Sequence, residues 1–421
     1  MNERTNEAAS SATGKGQTGI LLAVVMLAFM GQMMLNPILA PLARMIGLEE
    51  WHVGAIISMA ALVLTLLSQF WGRRSQKVGP KRVLIFAMLL GFLALGSFAL
   101  VAYAGSRGLI AGFWLVFGAV VTRGILYGSA ISAVLPAAQS YLVSQCESEE
   151  DRVKAVGGIG AMNGLSGVIG SVFGGVLSMI GGLMLPLSIM PFMMLVALAV
   201  LAAAFKPSAN ARAVDEPAKV SYFDPRVFPF LLVGFFMFLA FSSLQTTIGF
   251  AVQDRLALDE TLTAGYTSLI MIVMSVTMIV CQAVVVPRLK WSARRLLRVG
   301  FVLLSISGVL FLVGNTLALL LIAAVTIGVG VGFAMPGYNA GPTMDMAHEE
   351  QGGLAGLISA NNGATYIIAP VLSTSLYGWA PLSSFVLVIV LLVAGLALCL
   401  LHPTLRNERK QDGVNGRSKA V

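Results

Sequence analysis

Ala161-Met162-Asn163-Gly164-Leu165-Ser166-Gly167-Val168-Ile169-Gly170-Ser171 and Ala360-Asn361-Asn362-Gly363-Ala364-Thr365-Tyr366-Ile367-Ile368-Ala369-Pro370 are one stretch written twice, about two hundred residues apart. Ala161, Asn163 and Gly164 recur as Ala360, Asn362 and Gly363, and the apolar runs after them carry Gly170-Ser171 and Ala369-Pro370 in register. At nearly the same offset, Gly128 and Leu135-Pro136 recur as Gly328 and Met335-Pro336. The chain is therefore two copies of one apolar unit. Duplicated bundles in a membrane build a site near the bilayer midplane that each side reaches in turn. The repeat points to movement of a solute, not to its conversion.

Hydrophobic residues are 57% and charged residues 11% of the 421 residues, far below the roughly 25% charge of a soluble domain. A soluble reading is excluded. Windows of about 20 apolar residues fall at 18–43, 52–71, 83–104, 109–137, 156–180, 182–205, 227–252, 265–286, 299–314, 316–340, 354–377 and 382–401. This predicts an all-α integral membrane protein of twelve transmembrane helices in two pseudo-symmetric six-helix bundles. Residues 1–17 form an N-terminal tail, 18–205 the first bundle, 227–401 the second and 402–421 the C-terminal tail. The stretch 206–226, KPSANARAVDEPAKVSYFDPR, with three prolines and mixed charge, is the linker between them.

The net charge of +8 suggests nucleic acid until its placement is considered. With both termini on one side, that side holds 23 of the 27 lysines and arginines; Arg44, Arg107 and Arg255 fall on the other and Arg123 lies within a span. That is the positive-inside bias. It places both termini and the linker in the cytoplasm and argues against nucleic acid as a partner. The partners expected are the lipid bilayer and a small molecule. Cys146 falls in a loop and Cys281 and Cys399 in spans, none with metal-type neighbours, so neither a disulfide framework nor a metal is expected. The first apolar run is too long for a signal-peptide core. Thr13-Gly14-Lys15-Gly16 lacks phosphate-loop spacing, and Gly158-Ile159-Gly160 sits in a span and not after a strand, so no nucleotide cofactor is implied.

Two further patterns carry a resemblance. Gly72-Arg73-Arg74-Ser75-Gln76-Lys77-Val78-Gly79-Pro80-Lys81-Arg82, between the second and third spans, resembles the loop signature of the major facilitator superfamily, G-x-x-x-D-R/K-x-G-R/K-R/K. Ser166 to Gly175 in the fifth span resembles that superfamily's antiporter motif, G-x-x-x-G-P-x-x-G-G, associated with exporters and chiefly with the twelve-span drug:proton antiporter branch. The resemblance implies proton-coupled export and a gate built from Gly72, Gln76, Lys77, Gly79, Lys81, Arg82, Gly167, Gly170, Gly174 and Gly175. The departures are specific. Gln76 stands where the family has aspartate, Pro80 where a cation is usual, and Ser171 where the motif has proline. The family's fourth-helix arginine lies four residues before a glycine; here Arg123 lies five before Gly128, an α-helical rotation of about 100°. From charge alone, the basic loop reads as a topology anchor or as a gate.

Arg123 is the sharpest single candidate, because a cation inside an apolar span usually faces the bundle interior or a water-filled path. No aspartate or glutamate falls within the predicted spans to neutralise it, which suits an anionic or zwitterionic solute better than a lipophilic cation. The first span adds Gln32 and Asn36 on one face, the seventh Gln245 and Thr246, and the tenth and eleventh Tyr338, Asn339, Asn361 and Asn362. Each could bond to a neighbouring helix; together they predict a polar central cavity. Asp345, His348, Glu349 and Glu350 are candidates for a latch with the basic loops or for a solvated loop. No nucleophile elbow is present, so an enzyme is not expected. The reading is a monomeric secondary transporter of a bacterial inner membrane, exporting a small amphiphilic or anionic compound such as a carboxylate siderophore. Multidrug efflux, organic-anion uptake and a non-transporting sensor or scaffold are the alternatives.

Overall fold

The computed structural model describes residues 2–145, 149–206, 220–346 and 350–406. Cys146, His348, Glu349, the middle of the linker and most of the C-terminal tail lie outside the described residues. We number the long helices α1 to α12. In the first half they are α1 Asn2–Leu35, α2 Glu50–Val78, α3 Pro80–Ser106, α4 Gly112–Ser144, α5 Glu149–Gly181 and α6 Met184–Ala204. In the second they are α7 Phe228–Leu256, α8 Glu260–Leu289, α9 Ala293–Val313, α10 Leu317–Ala340, α11 Gln351–Trp379 and α12 Pro381–Leu401. Both α4 and α8 contain a π-helical segment, Val120–Leu126 and Cys281–Val285. A short helix, Leu39–Met45, follows α1.

Eleven of these helices are long and apolar enough to cross a membrane. The other, α11, is 29 residues long and carries Ser359, Asn361, Asn362, Thr365, Ser373 and Thr374. Its polar groups need protein partners or a wet cavity at that depth, and it packs on both bundles. Against the apolar windows, α7 runs on to Leu256. That extension corrects one expectation: Asp254 and Arg255 sit in the last turns of a helix and not in a loop.

The pairings repeat between halves. In the first bundle α1 packs on α5 and α6, α4 on α2 and α3, and α3 on α6; in the second, α7 packs on α11 and α12, α10 on α8 and α9, and α9 on α12. The bundles meet through α2 with α11 and through α5 with α8, pairs that exchange under the same two-fold. The repeated glycines show why the sequence returns to itself. A Cβ on Gly128 would lie 2.9 Å from the Ala60 carbonyl oxygen, and one on Gly328 2.6 Å from that of Met274. Only glycine allows either approach, and in lipid such close packing replaces the hydrophobic drive.

Candidate functional site

A cavity of about 350 Å³ lies between the bundles. The first half lines it with Phe29, Gln32 and Met33 of α1, Asn36 in the turn that follows it, Ile57, Ala61 and Leu64 of α2, Arg123 and Tyr127 of α4, and Asn163 of α5. The second half contributes Phe241, Ser242, Gln245 and Thr246 of α7, and Gly363 and Tyr366 of α11. The wall is mostly apolar with a few convergent polar groups, the usual composition of a small-molecule site.

Arg123 is 5% exposed. Its guanidinium carbon sits 4.4 Å from the Tyr127 ring centroid, whose hydroxyl donates to Gln32 Oε1 at 3.1 Å. The Arg123 Nε has no hydrogen-bond partner, and among the described residues no carboxylate pairs with the side chain. A stacked ring offsets part of the charge but supplies no acceptor. The register problem has a structural answer. Arg123 lies in the π-helical segment Val120–Leu126, and a π-turn bonds i to i+5. Five residues therefore cover about the angle that four cover in an α-helix, and the extra residue between Arg123 and Gly128 is absorbed. Nothing in the sequence alone announces this segment.

The polar residues of α10 and α11 are placed differently from the expectation. Asn361 donates to the Leu231 carbonyl at 3.0 Å and to the Tyr338 hydroxyl at 3.1 Å. Tyr338 donates to Asn362 Oδ1 at 3.1 Å, and Tyr222 donates to Asn361 Oδ1 at 2.8 Å. These groups satisfy one another and hold the end of the linker against the second bundle; they do not line the cavity, and Asn339 is exposed. Tyr366, Ser242 and Asn163 line it in their place.

The loop after α2 turns at Gly79, with φ of 90°, and Pro80 starts α3. Lys81 donates to the carbonyls of Ala202 and Phe205 at 3.0 and 2.6 Å, so it caps the C-terminal end of α6, where a cation is favoured. Gly72 faces Pro136 of α4, and Gln76, Lys77 and Arg82 are exposed. In α5, the glycines expected to form part of a gate touch different partners. A Cβ on Gly170 would lie 2.9 Å from the Met30 carbonyl oxygen, and Gly174 faces Met34, both on α1 of the same bundle. Gly175 meets Ser268 of α8 across the bundles, while Gly167 has open space. Beside that crossing, the Ser268 hydroxyl donates to the Ser171 carbonyl, the position where the antiporter motif has proline.

A charged cluster at the opposite end from the linker was missed by apolar windows. Arg44 pairs with Glu50 at 2.8 Å and with Asp254 of the other bundle, and Tyr377 of α11 donates to Asp254 at 2.7 Å. Of the acidic residues after α10, Glu350 pairs with Arg226 at the end of the linker at 3.1 Å.

Two pseudo-symmetric bundles around a cavity, closed together at one end by a charge cluster, define a membrane transporter. Residues 21–360 match the Major Facilitator Superfamily, with a further match over 283–420. The chain belongs to that superfamily: it is a multi-pass transporter of a small molecule and not an enzyme. It is 23% identical over 373 residues to the class B tetracycline resistance protein of Escherichia coli, covering 86% of this chain and 88% of that protein. It is 25% identical over 292 residues to solute carrier family 22 member 18 of Mus musculus, covering 64% of this chain and 67% of that one. Among solved structures, the human organic anion transporter MFSD10 superposes with a TM-score of 0.64 at 16% identity, over 91% of this chain and 99% of that one. A bacterial homologue of the human lysosomal transporter Spinster, inward-facing and occupied, gives 0.67 at 15% identity over 91% and 95%.

Proposed function

We propose that this transporter exports a small anionic or amphiphilic organic compound across a bacterial inner membrane by alternating access, driven by protons. The observation that carries the reading is Arg123, a buried cation that no carboxylate pairs with among the described residues and that lines a cavity shared by both bundles. A charge so placed is rare in a membrane and functional by default; a solute carboxylate would complete it, and a carboxylate siderophore is one such solute. Export is supported by the antiporter-like motif of α5 and by the kinship to a tetracycline resistance protein. On the orientation set by the basic residues, the Arg44 cluster closes the outer side and both termini are cytoplasmic. The test is metabolite profiling of medium and cytosol from cells carrying the native gene, no gene or Arg123→Ala. An organic anion enriched in the medium only with the native gene supports the reading, and unchanged profiles in all three strains exclude it.

A second reading, efflux of lipophilic compounds, is favoured by the apolar wall of Phe29, Ile57, Leu64 and Phe241. It predicts that a growth advantage on lipophilic toxicants survives Arg123→Ala.

A further inference from the structure

The two copies of the repeat treat one asparagine differently. Asn163 and Asn362 are equivalent positions, each followed by glycine. In the second half, Asn362 Oδ1 accepts from the Tyr338 hydroxyl. Tyr338 stands two residues after Pro336, and the residue two after Pro136 is Ala138, which is buried and has nothing to donate. Asn163 Oδ1 is accordingly buried without a partner, and it lines the same cavity as Arg123. Arg123 has no counterpart either, since the position two hundred residues on is Ala323. At this repeated asparagine the second half closes the polar group on Tyr338, and the first half leaves a donor and an acceptor unmatched around one space. Buried polar atoms without partners are uncommon in native proteins, and each calls for a reason.

We infer that Asn163 is a substrate-positioning residue that accepts a hydrogen bond from the solute, so that the solute joins an acidic group to a hydroxyl or N–H donor. This rests on the anionic reading of Arg123. Cavities that hydrogen-bond a ligand hydroxyl reject the analogue lacking it, because the protein group is then left unpaired. The pair therefore selects hydroxy- or amino-substituted organic acids over plain ones.

The test is titration calorimetry of the full chain in nanodiscs with four probes: benzoate and its 2-, 3- and 4-hydroxy derivatives. At least one hydroxybenzoate should bind the native protein roughly tenfold tighter than benzoate, as expected for one well-placed hydrogen bond. In Asn163→Leu and Asn163→Ala the ratio of hydroxybenzoate to benzoate affinity should fall to about one with benzoate still bound, which also reports an intact fold. Equal binding of all four probes to the native protein, or an advantage that survives both Asn163 variants, overturns the inference. Arg123→Gln should weaken all four together. If it leaves benzoate untouched, the anionic reading fails independently of Asn163; if no probe binds the native protein, both fail.

Discussion

The Arg44 guanidinium and the Asp254 carboxylate form an ion pair from one bundle to the other, with the second arm of the fork at 3.0 Å. Arg44 stands on the short helix after α1 and Asp254 near the end of α7, equivalent places in the two halves. Glu50 and Tyr377 extend the contact to α2 and α11, the helices that join the bundles. The cluster holds one end of the molecule shut.

Opening that end should therefore become easier when the pair is removed. The groups are partly exposed, 27% and 37%, so the pair contributes about 1 kcal/mol or less. Arg44→Gln should raise the alkylation rate of Thr374→Cys, a buried position facing Gly54 across the bundles, by roughly two- to fivefold. Exchanging the charges in Arg44→Asp with Asp254→Arg should bring the rate back towards native. An unchanged rate in Arg44→Gln would remove the cluster from gating.

Arg123 carries the strongest functional prediction. Arg123→Ala should abolish transport of an anionic substrate at normal protein abundance. Arg123→Lys should keep part of it, because lysine retains the charge and loses the bidentate fork, and Arg123→Glu should be worse than alanine. Normal export by the alanine variant would reduce the arginine to a packing group over Tyr127.

The glycines of α5 should separate by what they touch. Gly175→Leu intrudes on Ser268 and should disfavour the closed arrangement, again read by alkylation of Thr374→Cys. Gly170→Leu forces a side chain into α1 of its own bundle, an overpacking that costs about 1–3 kcal/mol and should lower the melting temperature. Gly167→Leu has space and should leave both readouts near native. Equal behaviour of all three would contradict this division.

Asp224 and Arg226, 2.7 Å apart, form a clamp at the end of the linker with a definite pH dependence. The Arg226 side-chain hydrogen bond, followed by its backbone N–H, holds the Asp224 carboxyl below its ordinary range. Its stabilising contribution is thus complete above the ordinary aspartate pKa of about 3.9 and is lost as pH falls through the lowered value. Proteolytic cleavage near Asp224 should be the same at pH 7 and pH 5 and rise only in stronger acid, whereas Arg226→Ala should raise it at neutral pH. An increase between pH 7 and pH 5 would show that another group controls the clamp.

Orientation is open to direct labelling. In a background without Cys146, Cys281 and Cys399, Glu260→Cys should react with an impermeant reagent added outside, and Asn210→Cys should not. Glu260 is exposed and leaves the Asp259 cap of α8 in place. The reverse pattern would invert the topology.

Twelve helices in two related bundles were legible in the sequence because eleven spans are strongly apolar, because the more polar α11 repeats the pattern of α5, and because glycines such as Gly128 and Gly328 recur where backbones touch. Arg123 was legible for the same reason: a charge inside an apolar run stands out without any structure. What the linear pattern could not decide was which polar groups face the cavity. Asn361 and Asn362 look as available as Asn163, and whether an amide is satisfied depends on a residue in another helix, Tyr338 in one half and Ala138 in the other. The π-helical turn that restores Arg123 to its face packs against α2 and α3, and nothing in its local composition marks it out. The ion pair of Arg44 with Asp254 joins residues 210 positions apart, so only the folded chain brings them together.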